Sequence, residues 1–277
     1  MFKMKDKIKT LKKTADGIRL NTFKAIANAG GGHFGGSLSV VEILTVLYFE
    51  VMNIYPQNPD DENRDRFILS KGHAGPALYT TLATRGYFLL DDLKDLDKPL
   101  SKFPKHVDRL KLKGIDVSSG ALGMGLSTAC GMAISAKQQN KDIYIYVVLG
   151  DGEINSGQIW EAAMTAAKYK LGNIIAILDR NNCQIDGPAE EIMPMEPLEN
   201  KWTSFGWKVQ NADGHDIESL LQTIKIAKEN KNSPNIIIAN TLKGYGVKLM
   251  EGKWQWHSGR ITGEEYQACI CDLEKPL

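Results

Sequence analysis

Apolar positions recur along the chain in two alternating rhythms. Ile8, Leu11, Ala15 and Ile18 stand three and four apart, the spacing of one stripe on a helix, so an amphipathic opening helix is predicted. Residues 143–149 and 174–178 are unbroken apolar runs, the pattern of strands buried on both faces. Between them Ile159, Ala163 and Ala167 share one helical face, Lys168 and Lys170 fall in its last turn, and Gly172 is placed to end it. Residues 66–69, 207–210 and 235–239 are strand-like. A helix opens near Pro76, a small-residue helix covers 126–136, and Asp216 caps one with Ile217, Leu220, Leu221 and Ile224 inward. Ser39 with Glu42 has the form of a capping box for a helix over 40–51. Helix and strand alternate throughout. The predicted class is α/β, a mostly parallel twisted sheet with helices on both faces. No linker rich in Pro, Gly or Ser interrupts 1–277, so a single domain is expected. The stretch after Gly244 yields no assigned element.

Glycine punctuates this pattern twice. Five glycines fall within 30–36, around His33, and their backbone cost excludes helix interior there. Gly120, Gly123 and Gly125 form a second glycine-rich turn. Between the two, residues 91–113 are dense in charge and read as a surface excursion. Basic and acidic side chains nearly balance, 34 to 33, so nothing global points to nucleic acid or to a membrane surface. The longest apolar run is about seven residues against the roughly 20 needed to span a bilayer. The basic first residues lack the apolar core of a secretory signal. Cys130, Cys183, Cys269 and Cys271 match no zinc spacing, and a cytoplasmic location is expected.

Chemistry concentrates where the two apolar runs end. Gly150-Asp151-Gly152 follows the first and Asn181-Asn182 follows the second. In a right-handed strand–helix–strand unit both turns emerge at one sheet edge, where open α/β sheets bind ligands. Asp151 and Asn181 are thereby predicted neighbours. A carboxylate and an amide oxygen beside glycine-exposed amides suit a hard cation, magnesium or calcium, that holds a phosphate-bearing ligand. The Cys183 carbonyl is a third candidate ligand. Asp-Gly and Asn-Asn also make tight turns without any metal. His33 and His73 sit among glycines with no apolar face to fill, as a site role requires. His257, between Trp256 and Ser258, fits a packed surface histidine equally well. His215 in Asp213-Gly214-His215-Asp216 reads as stabilising a turn and cap. The tryptophans read as packing residues.

Gly32-His33-Phe34-Gly35, Leu69-Ser70-Lys71-Gly72-His73-Ala74, Gly120-Ala121-Leu122-Gly123-Met124-Gly125, Leu149-Gly150-Asp151-Gly152-Glu153 and Ile185-Asp186-Gly187 occur in that order. Together they resemble the first domain of transketolase, over about 8–257. The resemblance implies the diphosphate-binding domain of the thiamine diphosphate-binding fold. It further implies the N-terminal subunit of a split enzyme, with pyrimidine-binding and C-terminal domains on a separate chain. That partner would carry the activating glutamate, in an α2β2 assembly. The implied reaction moves a two-carbon ketol from a ketose or ketose phosphate to an aldose or aldose phosphate. Asp151, Asn181 and the Cys183 carbonyl would hold the metal. His73, Gly120, Leu122, Gly150, Gly152, Glu153 and His257 would serve the cofactor, and His33, His73, His106 and His257 the chemistry. Glu161 would join a buried acidic network at the subunit interface.

Three departures stand out against that resemblance. Lys105 and Val107 flank His106 where Gly and Pro are usual. Asn155-Ser156 precedes Gly157 where a glutamate is common, and Met124 replaces a glutamine. Two other readings are the α component of a thiamine-dependent 2-oxo acid dehydrogenase and a non-catalytic subunit of the same fold. The ordered histidine motifs count against the first, and intact Asp151, Gly152 and Asn181 against the second.

Overall fold

The computed structural model of the chain describes residues 2–277. Helices α1 (Phe2–Asn28), α2 (Phe34–Leu38) and α3 (Val41–Val46) precede β1 (Arg66–Leu69) and α4 (Gly75–Arg85). A long connection leads to α5 (Met124–Gln138), β2 (Ile145–Gly150), α6 (Gly157–Lys168) and β3 (Ile174–Arg180). Short helices α7 (Ala189–Ile192) and α8 (Leu198–Ser204) precede β4 (Lys208–Asp213), α9 (Ile217–Glu229), β5 (Asn235–Asn240) and α10 (Gly263–Leu273). The five strands are parallel, in spatial order β1-β2-β3-β5-β4. Parallel neighbours need crossovers, and helices supply each of them.

The pleat divides the strands between two apolar layers. Phe67, Leu69, Tyr146, Val148, Ile175, Ile177 and Ile237 pack with residues of α1, α3, α4 and α9. Ile68, Ile145, Val147, Leu149, Ala176 and Leu178 pack with α5, α6 and α8. Covering both faces is why these strands read as continuous apolar runs. Every residue of β2 and β3 is buried, so the turns that leave them start from the buried interior of the sheet.

Four local expectations change. Gly35 and Gly36 lie inside α2. A Cβ at Gly35 would stand 2.7 Å from Lys243 Cγ and 2.8 Å from the Trp256 carbonyl oxygen, so close packing, not chain freedom, requires that glycine. The capping box does not form: α3 has no side-chain cap, because Ser39 Oγ donates to Asp179 Oδ2 at 2.7 Å and Glu42 pairs with Arg19. Lys170, at φ +49°, supplies the left-handed residue expected of Gly172. Gly172 instead leaves room for the backbone of Lys231, whose carbonyl oxygen is 2.2 Å from where a Cβ would stand. The unassigned tail contains α10, opened by a Thr262–Glu265 capping box. In addition, Phe34–Val51 has the length and hydropathy of a membrane span, but 83% of it is buried in the fold, and a π-type turn at Leu47–Val51 follows α3.

Candidate functional site

Strands β2 and β3 end in register, Gly150 opposite Asp179, so the residues that follow share one sheet edge. Asp151 is buried there. Its Oδ2 accepts the Asn182 N–H at 2.5 Å and its Oδ1 accepts Arg180 Nη1 at 2.8 Å. Asn181 Oδ1 accepts the Cys183 N–H at 3.2 Å, while its Nδ2 donates to Asp179 Oδ2 at 3.2 Å. Carboxylate and amide oxygens each offer about two lone-pair sites, so all three oxygens keep one to spare. No described donor reaches the Cys183 carbonyl. Burial pushes the Asp151 carboxyl up to about 6 against the pull of Arg180. Among the described residues no three His, Cys, Asp or Glu side chains are placed to hold a metal ion together. A cation held here therefore takes its remaining ligands from backbone, amide, water and phosphate, which is magnesium's habit.

A cavity opens from this edge, walled by Lys71, His73, Gly152, Gln184, Lys243 and His257 among others. Two of its lysines are fully buried and differ sharply. Lys71 forms an ion pair with Asp179 and donates to the Gly36 carbonyl at 2.7 Å. Burial alone would raise Asp179, but the charge of Lys71 and three side-chain hydrogen bonds hold it below the usual carboxylate range. Lys243, 2% exposed, makes no ion pair among the described residues; its polar neighbour is His257 Nδ1 at 3.4 Å. Burial, and then the charge of Lys71, lowers it. Gln184 Nε2 is also buried in this wall without a partner. A buried lysine without an ion pair and an orphaned donor are each costly, and an anion in the cavity satisfies both. The donor set thus fits a diphosphate with a divalent cation on Asp151 and Asn181.

Four histidines meet at the mouth. Ring centroids of His33 lie 5.3 Å from His73, 5.7 Å from His106 and 5.3 Å from His257, and His73 lies 5.0 Å from His257. Burial first and neighbouring cations second push His33 and His257 down to about 4. His73 falls well below its usual value for the same reasons, Lys71 leading the cations. The rings of these three are therefore neutral near pH 7, each with one donor and one acceptor nitrogen. The unusual flanks of His106 do not displace it. Val107 is buried, its carbonyl accepts the Ser119 N–H at 3.1 Å, and Lys105 pairs with Asp97 at 2.8 Å.

The remaining expected residues sort by position. Gly120 packs flat on His106, whose Cδ2 is 3.3 Å from where a Cβ would stand, and Gly152 faces Gln184 at the same distance. Leu122 is exposed at the rim. Glu153 lines the cavity, but three of the roughly four acceptor sites on its carboxylate are taken within the protein. Oε1 accepts from Ser70 Oγ and, at 2.9 Å, from the Gly123 N–H; Oε2 accepts the Gly150 N–H at 2.9 Å. It ties three motif loops together at the cavity wall. Glu161 is exposed on α6. Ser156 lies against Gly123, and Asn155 Oδ1 is buried without a partner. Reading the sequence missed Lys243, Gln184 and Arg180, which holds Asp151 and also reaches Glu190 at 3.1 Å and Glu196 at 3.0 Å. Only the Lys243-Gly244 step after a strand signalled any of them.

The chain is similar to known proteins in both sequence and fold. The family model described as transketolase, thiamine diphosphate binding domain, matches residues 10–270. The chain is similar to the 6-deoxy-6-sulfo-D-fructose transketolase subunit SqwG of Clostridium sp. (strain MSTE9), 45% identical over 96% of each chain. It is also similar to an apulose-4-phosphate transketolase subunit of Phocaeicola vulgatus, 39% identical over 98% of this chain and 96% of that one. Its fold superposes on the transketolase of Campylobacter jejuni with a TM-score of 0.90 at 31% identity, covering 96% of this chain and 43% of the other.

Proposed function

The chain belongs to the transketolase family, as its thiamine diphosphate-binding domain, and on that premise we propose that it is the cofactor- and metal-holding subunit of a two-chain transketolase. Bound thiamine diphosphate supplies the carbanion stabilisation that breaking and remaking a ketose carbon–carbon bond requires. This chain's own residues bind and orient. Asp151, Asn181 and the Cys183 carbonyl hold magnesium, and Lys243, His73 and Gln184 take the diphosphate oxygens. His33 and His257, as neutral imidazoles, and His106 beside them hydrogen-bond the sugar hydroxyls and move their protons. The partner chain carries the activating glutamate and closes the site over exposed Leu122, Met124 and Ile185, in an α2β2 assembly. The observation that carries this reading is Lys243, a buried cation with no carboxylate, beside Asp151 in one cavity.

Two relatives are named for a sulfonated and a phosphorylated ketose, and they support a donor ketose with a terminal anion. The test is to co-purify the chain with its partner from the host and assay the pair with thiamine diphosphate and magnesium. Fructose 6-phosphate, 6-deoxy-6-sulfofructose and free fructose serve as donors to an aldose. Turnover of an anionic ketose is expected. Turnover of a 2-oxo acid with an artificial electron acceptor, and none of any ketose, would replace this reading with a dehydrogenase component.

A further inference from the structure

We propose that His215 is a positioning residue for Lys243, acting through the backbone of Leu242. Lys243 lies in the connection that leaves β5, and this connection is held by groups from distant parts of the chain. The Thr241 N–H donates to the Arg180 carbonyl at 3.0 Å and the Gly244 N–H to the Gly35 carbonyl at 3.1 Å. Between these two anchors the Leu242 N–H donates to His215 Nε2 at 2.8 Å.

Those contacts set the tautomer of His215. A backbone N–H only donates, so Nε2 accepts and the ring proton sits on Nδ1. Nδ1 is 2.9 Å from Glu42 Oε2 and donates to it. Glu42 in turn pairs with Arg19, whose guanidinium lies over the Tyr245 ring at 4.8 Å and donates to the Leu38 carbonyl at 2.6 Å. Tyr245 stacks on His215 at 3.6 Å between centroids. Helix α1, helix α3 and the turn between β4 and α9 thus converge on one connection and fix its register. None of His215, Glu42 or Arg19 lines the cavity, so whatever they do there passes through the lysine they aim. Where an outer layer orients the ligands of a metal, removing it typically costs 10–100-fold in metal affinity or activity. The same residues explain why the Asp213-Gly214-His215-Asp216 turn carries a histidine. The turn itself needs only the His215 N–H, given to Asp213 Oδ1 at 2.9 Å, and the Asp216 cap.

This inference rests on Lys243 holding the diphosphate, and a double-mutant cycle separates the two. Affinity for thiamine diphosphate with magnesium is measured by fluorescence titration of the full chain with its partner. The proteins compared are wild type, Lys243→Met, His215→Phe and the double variant, with melting temperatures alongside. Phe keeps the stack on Tyr245 and removes both nitrogen contacts. His215→Phe is expected to weaken binding roughly ten-fold on the wild-type background and less than about two-fold on the Lys243→Met background. His215→Gln, which restores an acceptor to Leu242, is expected to recover wild-type affinity within about three-fold, and it carries the test if the Phe variant does not fold. An equal loss on both backgrounds, or no recovery with Gln, overturns the role of His215. Unchanged affinity in Lys243→Met overturns the reading of Lys243 itself, and this inference with it.

Discussion

The two buried lysines of the cavity are opposite solutions to one problem. Lys71, after β1, has a carboxylate in Asp179 and a carbonyl in Gly36, so its charge is settled inside the protein. Lys243, after β5, has neither and rests beside neutral His257. A buried charge without a partner is costly, and a fold keeps one where a ligand provides the missing counter-charge. The same contrast runs through the acids. Glu153 is satisfied by three loops of the protein, whereas Asp151 and Asn181 keep free lone pairs toward the cavity. Satisfied groups build the pocket, and the unsatisfied ones face its contents.

The largest effect is expected from breaking the settled pair. Lys71→Met leaves Asp179 buried and unpaired, at a cost of about 3–5 kcal/mol, read as a lowered urea midpoint. Lys243→Met should do the reverse, keeping or raising the midpoint while weakening binding of magnesium pyrophosphate about 10–100-fold by calorimetry. If the two variants lose stability alike, the distinction between them disappears. Glu153→Gln should cost less, about 1–2 kcal/mol, because an amide oxygen still accepts two of the three hydrogen bonds. Its thermal midpoint should fall without abolishing pyrophosphate binding.

The smallest effect concerns pH. His33 and His257 have folded values near 4 against an ordinary 6.5. Between these values the unfolded chain takes up protons that the folded one refuses, so stability falls as pH drops from about 6.5 toward 4. In the ligand-free chain, His33→Asn should flatten that slope in melts at stepped pH. An unchanged slope would mean that His33 is charged in the folded chain.

Much of the fold was legible because it depends on local pattern. Residues 143–149 and 174–178 announced the central strands through unbroken apolar runs, and the Gly-Asp-Gly and Asn-Asn turns after them located Asp151 and Asn181. The errors arose where a distant partner overrode a local rule. Ser39 and Glu42 have capping-box spacing, yet Asp179 and Arg19 claim their side chains. Gly35 looked like a helix breaker but is the one residue that lets α2 pass Lys243 and Trp256. Lys243 itself could not be singled out, because being unpaired is a property of its surroundings. His33 and His73 fared better because glycine neighbours leave them little to pack against, whereas only the folded chain brings His106 and His257 to the same mouth.

The most direct test is calorimetry of thiamine diphosphate binding, with and without magnesium, by the chain and its partner in wild-type and Asp151→Ala forms. Wild type should bind only with the metal, and the variant should lose that dependence while melting as a folded protein. Unchanged, magnesium-dependent affinity in Asp151→Ala would remove this sheet edge from the metal site and contradict the account.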